Sequence, residues 1–386
     1  MPADSSSTFG TGTSRRSALR LLAGTAASAS LGMPVWAASR TLRIGSTLDS
    51  SGVEKANGNA LHLGATAYFA ALNKAGGIGG AAVEIVLADD QFKPDTARAN
   101  ALAFQADKSM LAMLHPLGTR QAAAVIDAVP DMAVVGPYTG TVGLRKKGSM
   151  NVFWVRANYD QEIMKLVSTA ATLGITSIGL VHPTDPFGQS LLAAFNAATA
   201  KFNIKPDIIA TTPGTTSPEV EPAAKAMAQA APQVVLMGLA GTAPAFVKAL
   251  RAAGGSSTVY GLSVGASASN IQALDGLSRG LGFSLVVPSP YAQKYEIVRH
   301  YQTDMQASGR SDYSLPSLEG YINARVLAEG LRRAGAAPSR ASLMSALESL
   351  TALDLGGMRI AFGPGRREGS AFVDVAVVGA DARLKT

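Results

Sequence analysis

Residues 42–90 constrain this chain more than any other stretch. Leu42, Ile44 and Leu48 mark a short apolar strand. A polar, glycine-containing loop (49–58) follows, and then a long alanine-rich helix (59–74). In that helix Leu61, Ala65, Tyr68, Phe69 and Leu72 keep the i, i+3, i+4 spacing of one buried face. Ala75-Gly76-Gly77-Ile78-Gly79-Gly80 ends it, because glycine takes the left-handed cap without a Cβ penalty. Residues 83–87 alternate into a second strand that closes on Asp89-Asp90. Such a strand–loop–helix–strand unit folds as a right-handed parallel crossover. The 49–58 loop then sits at the carboxyl end of the first strand, where open parallel sheets hold their ligands.

The same alternation continues. A helix at 94–107, a strand at 110–114 and the loop His115-Pro116-Leu117-Gly118-Thr119 lead to a helix at 120–128, with Thr119 placed as its N-cap. The strand at 132–135 opens into Gly136-Pro137-Tyr138-Thr139-Gly140-Thr141. Residues 151–156 read as a crossing segment. Helices and strands alternate again from 159 to 260, and 281–287 reads as a second crossing. Long helices fill 291–308, 317–334 and 339–350, and strands are expected at 358–362 and 372–378. Strand alternating with helix over this length gives an α/β protein with parallel sheets. The loops after those strands carry the candidate binding positions: Ser50, Ser51 and Asn57; Leu117, Gly118 and Thr119; Tyr138, Thr139 and Gly140; Phe187; Thr242 and Ala243; and Ser263. Helix N-termini there offer free N–H groups to an anion such as a carboxylate, although each position taken singly also suits an ordinary cap or turn.

Two segments in this frame carry a resemblance. Asn73-Lys74-Ala75-Gly76-Gly77-Ile78-Gly79-Gly80 before a strand, and Asp89-Asp90-Gln91-Phe92-Lys93-Pro94-Asp95-Thr96-Ala97 before a helix, resemble the solute-binding proteins of ABC importers of the leucine/isoleucine/valine-binding type. The resemblance spans about residues 40–380. It implies the type I periplasmic binding fold: two Rossmann-like lobes joined by three crossing segments. One lobe is expected from 40–155 with 288–351, the other from 156–287 with 352–386. It also implies roles. The loop 115–119 would hold a ligand carboxylate through Gly118 and Thr119, and 137–141 would add carbonyl and hydroxyl contacts, with Tyr138, Thr139 and Gly140 interchangeable in alignment. Phe187 matches an aromatic lid that is usually Tyr. The aromatic usual at Asn57 is absent. The acid that commonly pairs the ligand's amino group falls at Ser263, which leaves Asp160 at the first crossing as the acid placed to hold an ammonium. A buried ammonium without a carboxylate is costly, so amine-free acids and small amides compete with amino acids as the solute.

Composition and the amino terminus bound the setting. The 386 residues hold no cysteine, so no disulfide, thiolate metal site or cysteine nucleophile is available. The net charge of +7 is spread over short clusters (Arg145-Lys146-Lys147, Arg332-Arg333, Arg366-Arg367) without the interleaved aromatics of a nucleic-acid surface. Arg15-Arg16 and an apolar, small-residue run ending at Val35-Trp36-Ala37 read as a twin-arginine export signal cleaved near Ala37 (1–38), giving a periplasmic protein. A Sec-type signal or an uncleaved anchor is the alternative, since Ala18 stands where a bulky apolar residue is usual.

Chemical motifs are weaker. Gly261-Leu262-Ser263-Val264-Gly265 matches G-x-S-x-G after a strand. A hydrolase built on Ser263 would need Asp275 and His300, and His300 falls inside a helix. His62, His115, His182 and His300 are isolated, so no metal site is expected. The 76–80 glycines follow a helix instead of a strand, the reverse of a dinucleotide loop, and no cofactor is expected. The expectation is a non-enzymatic, exported binding protein that closes on a small amino acid, carboxylate or amide and docks on the membrane permease of an ABC importer. A ligand-sensing receptor domain of the same fold is the alternative.

Overall fold

The computed structural model describes residues 40–386, so the export signal expected over 1–38 lies outside the described residues. The first sheet is built from β1 (Thr41–Leu48), α1 (Lys55–Lys74), β2 (Ala82–Asp89), α2 (Pro94–Ala106), β3 (Met110–Leu114), α3 (Thr119–Ala128), β4 (Ala133–Val135), α4 (Val142–Lys146) and β5 (Val152–Phe153). Its strands run parallel in the order β2-β1-β3-β4-β5. Every residue of β3 is buried, as expected of a central parallel strand covered on both faces. α1 begins at Lys55, four residues before the expected helix start at 59.

The second sheet follows through α5 (Tyr159–Thr172), β6 (Ile178–Pro183), α6 (Pro186–Lys201), β7 (Ile208–Thr212), α7 (Glu221–Ala230), β8 (Val234–Met237), α8 (Ala243–Ala252), β9 (Thr258–Gly261), α9 (Ala268–Ala273) and β10 (Gly282–Leu285). The chain then returns to the first lobe with α10 (Glu296–Ala307), α11 (Leu315–Arg333) and α12 (Arg340–Glu348), forms a hairpin of β11 (Leu353–Asp354) and β12 (Arg359–Ile360), and ends in β13 (Asp374–Val378) and β14 (Leu384–Lys385). The order is β14-β13-β10-β9-β8-β6-β7. Its last two strands are antiparallel, so this sheet is mixed where a parallel one was expected; the returning tail can only add to the edge. Two further expectations shift. Residues 282–285 are a strand of the second sheet, and the crossing comes after them. The hairpin at 353–360, assigned by sequence to the second lobe, rests on first-lobe helices: Ile297 N–H donates to Gly356 O (3.2 Å) and Arg325 Nη1 to Leu355 O (3.2 Å).

α1 and α11 cross at a glycine contact. A Cβ on Gly64 would lie 1.7 Å from Ser317 O, and one on Gly320 would lie 2.1 Å from Leu61 O. Backbone touches backbone there, which brings the returning helix against the helix that follows the first strand. The first crossing runs beside the 367–369 segment: Trp154 N–H donates to Arg367 O and Gly369 N–H to Trp154 O, both at 2.8 Å. Among the described residues no helix is long and apolar enough to cross a membrane.

Candidate functional site

A cleft of about 350 Å³ opens between the carboxyl ends of the two sheets. Its first-lobe wall is the N-terminus of α3. Gly118 precedes the helix at φ +97°, and a Cβ there would lie 2.7 Å from the Phe92 ring, so glycine lets the loop approach. Ala122 N–H is the first to reach back, to Gly118 O at 2.9 Å; helix geometry leaves the preceding amides of Thr119, Arg120 and Gln121 as open donors. The Thr119 hydroxyl lies 2.9 Å from both the Thr139 and Thr141 hydroxyls. Its bonds go to the neighbouring loop, and Gly118 is the N-cap residue instead of Thr119. Tyr138 N–H donates to Pro116 O (2.9 Å) and Gly118 N–H to Tyr138 O (3.3 Å), so the two loops are hydrogen-bonded to each other.

The second-lobe wall is the start of α6. Asp185 accepts from Phe187 N–H and Gly188 N–H at 3.1 and 3.3 Å, and from the Thr215 N–H at 3.0 Å and the Thr215 hydroxyl. This carboxylate is therefore engaged on both oxygens, and it fixes the 213–216 turn against the helix. The Phe187 ring meets Tyr159 edge-on, centroids 5.3 Å apart. Tyr159, Tyr138, Leu117, Ala240 and Val264 give the cleft an apolar body.

Charge enters at three places. Arg120 is exposed at the mouth. Glu54 is 2% exposed and lines the cleft. It accepts from Asn57 Nδ2 at 2.8 Å and, across the lobes, from Gly241 N–H at 2.7 Å. Burial raises its pKa, the two hydrogen bonds pull back, Asp49 adds a smaller push, and the result is about 7. Behind the Tyr138 ring lies Arg156, its guanidinium 4.8 Å from the ring centroid. It pairs with Glu162 (3.1 Å) and Glu319 (3.4 Å) and donates to the Ser263 hydroxyl. Glu162 also accepts from Ser263 N–H (3.0 Å) and Ser284 Oγ (2.7 Å). Burial lowers the Arg156 pKa, but Glu319 and Glu162 outweigh it and the net shift is upward; burial raises Glu319 to about 7. This cluster joins α11 of one lobe, the first crossing and α5 of the other.

Known proteins share this architecture. A family model described as periplasmic binding protein matches residues 41–383. The chain belongs to the periplasmic binding protein family and has the type I fold. A substrate-binding periplasmic protein from Ralstonia solanacearum is 30% identical over 89% of this chain and 99% of its own, with a TM-score of 0.84. Two more distant structures share the fold. A branched-chain amino acid transporter substrate binding protein from Streptococcus pneumoniae, in complex with isoleucine, is 15% identical over 90% of this chain and 98% of its own (TM-score 0.81). A fatty acid ABC transporter substrate-binding protein from Thermomonospora curvata is 19% identical over 89% and 90% (TM-score 0.80). No curated protein sequence matches the chain. The family is one of periplasmic binding proteins, and the Ralstonia protein is a substrate-binding member of that kind.

Within this family fold, Leu117, Gly118, Thr119, Tyr138 and Phe187 line the cleft. Thr139 lies one layer behind Thr119, and Gly140 is pressed against Tyr159, whose N–H it accepts at 2.9 Å. Asn57 is buried and donates to Val264 O at 3.1 Å across the lobes. Thr242 is the buried residue preceding α8. Ser51 is exposed and bonds Asp89 at 2.5 Å. Asp160 is exposed beside Lys146 and Arg145 and is not among the cleft-lining residues; burial of part of the carboxyl raises its pKa, and those cations lower it. Ser263 is fully buried in a 3₁₀ turn, occupied by Arg156 and Glu162, while His300 is exposed on α10 and pairs with Glu296 at 3.7 Å. The Ser263–Asp275–His300 hydrolase constellation is therefore not assembled. Sequence reasoning passed over Glu54, Phe92, Tyr159, Arg156 and the 213–216 turn. Phe92 had a signal within reach, since it follows a strand as the other candidate loops do, but its left-handed backbone (φ +58°) is a property of the folded loop.

Proposed function

We propose that this protein captures a small carboxylate-bearing solute, an amino acid or a related acid or amide, between its lobes outside the cytoplasmic membrane and delivers it to the permease of an ABC importer. The observation that carries the reading is the wall at Thr119. Open helix amides and a hydroxyl held by two neighbouring threonines, with the exposed Arg120 on the same helix turn, line one end of a cleft whose remaining lining is mostly aromatic and aliphatic. Such an end suits an anion, because the helix dipole and the amides favour negative charge, and the rest suits a hydrophobic body. At about 350 Å³ the cleft lies at the small end of small-molecule sites, roughly 300–1,000 Å³. Isoleucine and fatty acids, named for two fold neighbours, share a carboxylate and differ in the amine. Hydrogen bonds from Gly241 and Asn57 bridge the lobes, in keeping with hinge closure around a solute. Residues 1–38 would direct export.

Thermal unfolding of the chain from Ala38 onward, against amino acids, aliphatic and aromatic carboxylates and small amides, tests the reading. A ligand at 100 times its Kd adds about 2.7 kcal/mol and raises the midpoint by a few degrees. Thr119→Val should weaken any such carboxylate by about tenfold, about 1.4 kcal/mol for one hydrogen bond to a charged group. No shift with any carboxylate, or full affinity in Thr119→Val, would overturn it.

A further inference from the structure

Three lining side chains carry formal charge: Arg120, Asp185 and Glu54. Asp185 has both oxygens filled by the α6 amides and by Thr215. Arg120 is a cation. Glu54 is different. It is buried, each of its oxygens accepts one N–H, and no basic side chain among the described residues pairs with it. Beside it, Asn57 Oδ1 is buried with no donor, because that amide spends its Nδ2 on Glu54 and on Val264 O. An unpaired carboxyl on the cleft wall and the unfilled oxygen of the amide hydrogen-bonded to it lack the same thing, a donor-rich cation. The Tyr138 hydroxyl, also buried and unpartnered, lines the same cleft. The remaining buried acids are accounted for: Glu162 and Glu319 face Arg156, and Asp49 and Asp90 accept backbone N–H groups of their own loops and are not among the lining residues.

We infer that Glu54 is the partner of the solute's amino group, so that the cleft takes a zwitterion, its carboxylate on the α3 end and its ammonium on Glu54, with the acid supplied by the first lobe. This rests on the carboxylate reading above. A primary ammonium has three N–H donors, enough to satisfy Glu54 and Asn57 Oδ1 together. The aromatic rings of Tyr138, Tyr159 and Phe187 around the cleft add a surface that favours a cation. The placement also links recognition to closure, since Glu54 accepts from Gly241 of the opposite lobe.

The test is calorimetric titration of the wild type and of Glu54→Gln with the twenty standard amino acids and with their des-amino carboxylates (for example leucine and 4-methylpentanoate). The expected result is an amino acid that binds at least thirtyfold more tightly than its des-amino partner, and collapse of that ratio to within threefold in Glu54→Gln. Des-amino acids binding as tightly as amino acids in the wild type would overturn the assignment and leave the carboxylate reading in place. A preference undiminished in Glu54→Gln would overturn it equally. Binding of neither set would overturn the carboxylate reading and this assignment together. Should Glu54→Gln not fold, the wild-type ratio still decides whether the cleft selects an amine, and Glu54→Asp, which keeps the charge and withdraws it by one methylene, should then reduce the ratio.

Discussion

Arg156→Met is the most informative single change to the frame around the cleft. Arg156 is fully buried and faces two buried carboxyls, Glu162 at 3.1 Å and Glu319 at 3.4 Å. Methionine fills much of the same space, so the cavity contribution is small and the loss is mainly electrostatic. Glu162 retains Ser263 N–H and Ser284 Oγ. Glu319 retains nothing, since neither of its oxygens has a hydrogen-bond partner. Breaking a buried pair by removing one partner costs roughly 3–5 kcal/mol. At about 2.1 cal/mol/K per residue, a chain of this length unfolds with roughly 0.8 kcal/mol/K, so the midpoint should fall by about 4–6 °C. The double variant Arg156→Met with Glu319→Leu removes the stranded charge and should recover at least about half of the loss, because a buried pair and an apolar replacement of similar volume are close in stability. Urea unfolding followed by circular dichroism gives the free energies, and Trp154 fluorescence reports on the same crossing. A loss below about 1 kcal/mol, or a double variant less stable than the single one, would refute the reasoning.

Two further outcomes follow from the buried charges and the helix contact. Glu54, Glu319 and Asp90 are each held up at about 7, in every case with burial as the leading cause. A carboxyl whose folded pKa is raised contributes stability that is complete below its unfolded value near 4 and is lost as pH rises through about 7, so these three should together cost the ligand-free protein on the order of a few kcal/mol between pH 5 and pH 8, offset in part below about pH 6.5 by His115, which burial holds down at about 3; a gain in urea resistance between pH 6.5 and pH 8 would contradict it. Gly320→Val should place a side chain into the α1 backbone, where a Cβ already meets Leu61 O at 2.1 Å, and cost roughly 1–3 kcal/mol or more, read as a lower denaturation midpoint; an unchanged midpoint would show that α1 and α11 can separate freely.

Much of the site was legible where it followed from strand ends. Leu117, Gly118, Thr119, Tyr138 and Phe187 stand just after apolar strands, and in a parallel sheet those positions gather at one edge. Glu54 was passed over because it lies in a loop of polar residues that reads as solvated; its burial comes from Gly241, 187 positions away, closing over it. The serine of the G-x-S-x-G stretch looked like a nucleophile for the converse reason, since nothing local shows that Arg156 and Glu162 enclose it.

By itself the sequence determined the alternation of strands and helices, the parallel sense of most strands, and the glycines that stop α1, because each depends on periodicity and backbone freedom within a few residues. Only the tertiary structure decided which charges are buried together. Arg156 meets Glu319 through the return of α11 against α1, and Glu54 meets Gly241 through the approach of the lobes. Pairing across such separations is set by topology and desolvation, and neither leaves a mark on the local pattern of residues.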